Sequence, residues 1–166
     1  TGAGGGTVSF AAAIETNGGD NDLLVVTSGT GNVTFTGAIG ATNELGGLSV
    51  NASSGDGDIT FTGTIGDGDN AGVIGTTAVG NSTTADLNFD GAIYKFDGAT
   101  TFTAVSTGTI DMSAAVSFTT AADNIEFATA NIELANTANL TIDTGAAGGN
   151  ITIGGALGLS LIHISE

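Results

Sequence analysis

A seven-residue phrase recurs along this chain, and an in-register repeat restricts the possible folds more than any other feature of it. Val33-Thr34-Phe35-Thr36-Gly37-Ala38-Ile39 returns as Ile59-Thr60-Phe61-Thr62-Gly63-Thr64-Ile65 and as Leu87-Asn88-Phe89-Asp90-Gly91-Ala92-Ile93. It is already present as Val8-Ser9-Phe10-Ala11-Ala12-Ala13-Ile14. The copies start 25, 26 and 28 residues apart. Periods of that size belong to stacked supersecondary units, each touching only its neighbours, and not to one closed core.

Within each phrase the large apolar residues sit two apart, which is strand alternation and not a helical period. Val33, Phe35 and Ile39 share one face, while Thr34, Thr36 and Ala38 share the other. Gly37, Gly63 and Gly91 fall on the apolar parity, where glycine marks a bend, a bulge or close backbone approach. The first, third and seventh positions are also apolar in Ile110, Met112, Val116 and in Ile151, Ile153, Leu157, with Ile132-Glu133-Leu134 between them. The expected strand starts are therefore 8, 33, 59, 87, 110, 132 and 151.

A second apolar pair follows in most periods: Leu24/Val26, Leu48/Val50, Ile125/Phe127 and Leu140/Ile142, with irregular versions at Val73/Ile74 and Phe102/Val105. Segments such as Asn17-Gly18-Gly19-Asp20-Asn21-Asp22 and Ser53-Ser54-Gly55-Asp56-Gly57-Asp58 separate them. These are turns, because Gly, Asn and Asp tolerate the left-handed backbone that corners need. The Ala-rich stretch 121–130 is the nearest approach to a helical signal, yet Ile125 and Phe127 keep the two-residue alternation.

Short strands at this density fit a β-sandwich or a β-solenoid, and only the solenoid requires a repeat in register. The expectation is an all-β, parallel β-solenoid (β-helix) of about seven coils, each of 19–28 residues. Its core ladder would be Val8, Phe10, Ile14, Val33, Phe35, Ile39, Ile59, Phe61, Ile65, Leu87, Phe89, Ile93, Ile110, Met112, Val116, Ile151, Ile153 and Leu157. The absence of proline agrees, since interior coils need their N–H groups for pairing.

The charge balance closes off several functions. Seventeen acidic residues stand against Lys95 alone, for a formal charge of −16, and there is no arginine. Nucleic acid and anionic membrane both call for clustered cations, so neither is an expected partner. No apolar run approaches the 20 or so residues of a membrane-spanning helix. With no cysteine there are no disulfides or thiolate metal sites.

The composition breaks at 159–166, Leu-Ser-Leu-Ile-His-Ile-Ser-Glu, which holds the single histidine and no glycine. That string resembles a translated sequencing adaptor, so residues 1–158 are expected to be the solenoid segment and 159–166 an artefactual tail. The expectation is an internal piece of a longer chain. The stretch NVTFTGAIGATNELGGLSVNAS, residues 32–53, resembles the repeats of large secreted bacterial β-strand-repeat surface proteins, the filamentous-haemagglutinin and autotransporter-like adhesins. The likeness extends over 7–95 and, more loosely, 99–158. It implies an extracellular or cell-surface rod that holds a tip away from the bacterium.

Three chemistries compete with a purely structural role. Asp20/Asp22, Asp56/Asp58 and Asp67/Asp69 place carboxylates two apart in Gly-rich turns, the oxygen-donor pattern of a calcium site. The consecutive nonapeptide of calcium-binding β-solenoids is absent, and an EF-hand loop counted from Asp67 fails at Ala71 and Ala78, so solvated turns are the simpler reading. Thr34/Thr36 and Thr60/Thr62 form a two-coil array of the kind that binds ice or a crystal surface, broken by Ser9/Ala11 and Asn88/Asp90. Catalysis would draw on Asp86, Asp90, Asp97, Asp123 or Glu126, none in a recognisable context, and uronate lyase chemistry lacks its cations. Tyr94-Lys95-Phe96 is a contact spot if both rings face outward, which parity gives when Ile93 is core.

The functional expectation is a non-catalytic stalk segment of an exported adhesin or surface fibre, with no cofactor unless calcium binds. The alternatives are a self-assembling extracellular fibre subunit and a calcium- or ice/surface-binding solenoid. Expected partners are neighbouring coils of the same longer chain, other copies of it, or a host or environmental surface.

Overall fold

The computed structural model describes residues 4–18, 22–135 and 137–159. It is all-β, and every strand pairing in it is parallel. The chain winds past three sheets in turn. Sheet A holds β1 (Val8–Phe10), β3 (Val33–Phe35), β5 (Ile59–Phe61), β7 (Leu87–Phe89), β10 (Thr109–Met112), β13 (Asn131–Leu134) and β16 (Leu157–Leu159). Sheet C holds β2 (Leu23–Val26), β4 (Gly47–Val50), β6 (Thr77–Val79), β9 (Thr100–Thr103), β12 (Ile125–Ala128) and β15 (Ile151–Ile153). Sheet B, between them, holds only β8 (Ile93–Lys95), β11 (Val116–Thr119) and β14 (Leu140–Asp143).

This is the parallel β-solenoid that the repeat predicts. Seven strands of sheet A bound six complete turns, close to the seven coils expected. In the early turns isolated bridges take the place of a B strand, one column running Ile14↔Ile39↔Ile65 and joining β8 at Tyr94, and a second running Leu45↔Val73 and joining Phe96 directly after β8. The extended B sheet of the later turns is an element that the heptad phrase does not announce.

Register makes each core column the same position read turn after turn. One sheet A column is Val8, Val33, Ile59, Leu87, Ile110, Ile132, Leu157; its neighbour begins Phe10, Phe35, Phe61, Phe89, Met112, Leu134. The four phenylalanine rings stack almost parallel, with centroids 4.9, 4.9 and 5.5 Å apart. The inter-strand spacing of a sheet, about 4.8 Å, sets that separation. Beyond Phe89 the aromatics move to the other two sides, as Tyr94 stacks on Phe118 and Phe102 on Phe127.

Several ladder assignments need correction. Between Phe89 and the next inward residue there is one more residue than in the earlier coils, so Tyr94, not Ile93, continues the column of Ile39 and Ile65. Ile93 is half-buried and lies beside Ser117. Phe118, not Val116, is the next member, although Val116 is buried as well. Ile151 and Ile153 belong to sheet C, paired with Ile125 and Phe127, so the seventh sheet A strand starts at Leu157. Ile151, Ile153 and Leu157 are exposed, and Val8, Phe10 and Ile14 only half-buried, because among the described residues each lies in an outermost coil with a neighbour on one side. The other ladder residues, Val33, Phe35, Ile39, Ile59, Phe61, Ile65, Leu87, Phe89, Ile110 and Met112, are buried. Stretch 121–130 contains β12, in keeping with its alternation. Leu159 closes β16, which crosses the boundary expected after 158, and residues 160–166 lie outside the described residues.

The glycine on the apolar parity is there for close approach. A Cβ on Gly63 would sit 2.3 Å from the Gly37 carbonyl oxygen, and one on Gly91 would sit 2.5 Å from that of Gly63. A side chain at this corner would wedge the coils apart.

Candidate functional site

The turn carboxylates are built into the stack. At the start of the sheet A strands, the Asn32 carboxamide oxygen accepts the Asp58 N–H (3.1 Å), and the Asp58 carboxylate accepts the Asp86 N–H (3.3 Å). Asp86 in turn accepts the Thr109 N–H (2.7 Å) and hydroxyl (3.2 Å). Asn131 repeats the contact to the Ala156 N–H (2.9 Å), and Asn124 does so for the Asn150 N–H at the sheet C strands (2.8 Å). Each Asx side chain thus satisfies a backbone donor one turn along the stack, at a place where the ladder has not yet begun.

The six calcium candidates separate accordingly. Asp58 is in this spine. Asp67 caps its own turn, accepting the N–H groups of Asp69 (2.8 Å) and Asn70 (2.7 Å), and those donors hold its carboxyl below the usual carboxylate range. Asp22, Asp56 and Asp69 are exposed, while Asp20 lies outside the described residues. Among the described residues no three His, Asp or Glu side chains converge as a metal-holding group.

Tyr94 and Phe96 are both buried, which overturns the outward reading of Tyr94-Lys95-Phe96; Lys95 alone of the three faces outward. The Tyr94 hydroxyl accepts the Gly91 N–H (2.8 Å) and donates to the Phe61 carbonyl (2.9 Å), fastening the bulge that its own extra residue creates. Lys95 donates to the Gly68 carbonyl (3.2 Å) on the rim of a shallow groove of about 360 Å³ along the B–C corner. Glu44, Asp69 and Asp97 line the same groove, with Ile74 as its apolar patch. Its chemistry is that of an open acidic surface around one ammonium.

On the outer face of sheet A, Thr34 and Thr60 are stacked in register between Ser9 and Asn88, and the row continues through Asp111 to Glu133. The threonine pair therefore spans two coils, flanked by the Ser9 hydroxyl on one side and by Asn88 and then carboxylates on the other. Of the carboxylates weighed for catalysis, Asp86 sits in the Asx spine and Asp90 accepts the Ser113 hydroxyl (2.6 Å). Asp97 is in the groove, Asp123 is half-buried on a turn, and Glu126 is exposed on sheet C.

Two features escape the repeat pattern. Asn51, buried with φ +49°, bonds Ser28 through both ends of its carboxamide (2.9 and 3.0 Å) and so ties two successive corners together. Thr77 occupies an apolar column between Leu48 and Thr100, and its buried hydroxyl has no hydrogen-bond partner. An Asn directly after a strand was a visible signal for the first; the second carries none.

The chain matches no family model, no curated protein and no solved structure at a significant level.

Proposed function

We propose that this chain is a structural segment of an exported bacterial surface fibre or adhesin stalk, acting by geometry and not by catalysis. The observation that carries the reading is the uninterrupted parallel pairing of sheet A through all seven of its strands, with the apolar columns inside it. Pairing along one axis makes a rod whose length grows with coil number, about 4.8 Å for each. The polar residues of the corners serve the same end, since Asn32, Asp58 and Asp86 spend their side chains on the neighbouring turn. The likeness of residues 32–53 to surface-protein repeats supplies the extracellular setting.

The test is antibody against the purified chain, applied to intact and to permeabilised cells that make it. The reading expects immunogold label on the intact cell surface, displaced outward along fibres. Label found only after permeabilisation would overturn it.

A further inference from the structure

The groove at the B–C corner is assembled from the second to the fifth turns, none of them outermost. Leu45, Val73 and Phe96 bridge one another in register. The residues just before them, Glu44, Gly72 and Lys95, therefore make one row along the solenoid axis. Ile74 and Asp97, just after them, lie in the next row. The turn 66–70 adds Asp69 from the side. Glu44 and Lys95 are two coil steps apart, about 10 Å at the strand spacing of a sheet.

The lining narrows what the groove can hold. Its carboxylates, on Glu44, Asp69 and Asp97, take no hydrogen bond or ion pair from the described residues, unlike those of Asp58, Asp67 and Asp86. They come from three successive coils and do not converge, so one ion cannot be coordinated by all of them. Ile74, in the turn between Glu44 and Asp97, is 37 % exposed, whereas Val73 beside it is fully buried. The single lysine of the chain already sits here, its ammonium donating to the Gly68 carbonyl (3.2 Å). An aliphatic ammonium is thus a group that this groove accommodates. The formal charge of −16 draws further cations toward the surface and repels anions.

We propose that the groove binds a linear aliphatic polyamine laid along the solenoid axis. One ammonium pairs with Glu44 and Asp69 and another with Asp97, while the methylenes between them cover Ile74. A polyamine carries its charges spaced along an apolar chain, which suits carboxylates set in successive coils around an apolar side chain. A metal ion, with its charge at one point, does not. The Lys95 ammonium competes for the same carboxylates as an intramolecular counter-ion. Such a site lies on the side of the rod and is independent of the stalk role proposed above.

The test titrates spermidine calorimetrically into the full chain at fixed ionic strength, with magnesium chloride as the point-charge comparison. Three variants accompany the parent, each first shown to melt cooperatively. Glu44→Gln/Asp97→Asn removes two groove charges, and Lys95→Gln removes the competitor. Glu126→Gln/Glu133→Gln removes two exposed charges from sheets C and A, away from the groove. The parent should bind a single spermidine, and more tightly than magnesium. The groove pair should weaken that binding about fivefold or more, the distant pair far less, and Lys95→Gln should tighten it. A loss no larger in the groove pair than in the distant pair would make the attraction a property of the whole charge and overturn the site. So would magnesium binding as tightly as spermidine, Lys95→Gln failing to tighten binding, or a parent with no saturable binding. Each of these leaves the surface-fibre reading to stand or fall on the labelling experiment.

Discussion

Thr77 is a residue whose local environment contradicts its chemistry. It stands in a column of inward-facing residues with its hydroxyl buried and unpartnered, and an unsatisfied buried hydroxyl costs roughly 1–3 kcal/mol. Thr77→Val keeps the shape and removes the hydroxyl, so it should stabilise by about 1 kcal/mol in chemical denaturation. Thr100→Val is the contrasting case, because the Thr100 hydroxyl donates to the Gly98 carbonyl (3.0 Å) and its loss should destabilise. Equal effects of the two would refute the assignment. Tyr94 is satisfied but buried, and desolvation of its phenolate, with Asp90 nearby, pushes its phenol well above the ordinary value despite the opposing Gly91 N–H. The unfolded chain releases that proton near pH 10 and the folded chain holds it, so stability falls as pH rises above about 10. Tyr94→Phe should lose stability at neutral pH, where the Gly91 N–H and the Phe61 carbonyl each lose one of their hydrogen bonds, but should flatten this alkaline limb in pH-dependent melts. A limb of unchanged steepness would show that other groups produce it.

At the scale of the element, the sheet A strands were readable because a two-residue alternation and a repeat in register both act on them. Val33, Phe35, Ile59, Phe61, Leu87 and Phe89 lie where that pattern puts them. The third side was not readable, since for three turns it consists of isolated bridged residues, Ile14, Ile39 and Ile65 with Leu45 and Val73 beyond them, and no alternation to detect. One added residue then moves Tyr94 inward and displaces Ile93, a slip that parity alone cannot register because both residues are apolar-bodied. The carboxylates were visible as turn residues, but their acceptor role was not, because it depends on which backbone N–H lies one turn away. The stacked column predicts a graded cost of truncation. Phe61 has a ring on both sides, at 4.9 and 5.5 Å, whereas half-buried Phe10 has one. Phe61→Ala should cost about 3–5 kcal/mol, and Phe10→Ala clearly less. Thermal melts giving the two variants the same loss would rule out a column graded by its end.

For the molecule as a whole, charge is the dominant opposing force. Seventeen acidic residues and one lysine leave a formal charge of −16, and stacking sets carboxylates in neighbouring turns, as with Asp111 beside Glu133 and Asp58 beside Asp86. Coil spacing of about 4.8 Å is well inside the Debye length, which is roughly 10 Å at 0.1 M salt and 30 Å at 0.01 M. Self-repulsion should therefore weaken the fold at low ionic strength, and Tm should climb as sodium chloride is added. Asp58→Asn retains the side-chain oxygen that accepts the Asp86 N–H and removes one charge from the row, so it should raise Tm at low salt and make the climb shallower. The same titration separates screening from specific calcium binding. Bound calcium would stabilise by RT ln(1 + [Ca²⁺]/Kd), visible as an increment beyond sodium chloride of equal ionic strength and reversed by EDTA. With Asp58 engaged by the next turn and Asp67 by its own, the turns should respond to calcium as diffuse charge, with no such increment. A reversible rise in Tm at submillimolar calcium, lost in Asp58→Asn or Asp67→Asn, would instead make these turns ligands and restore the calcium-binding reading of the sequence.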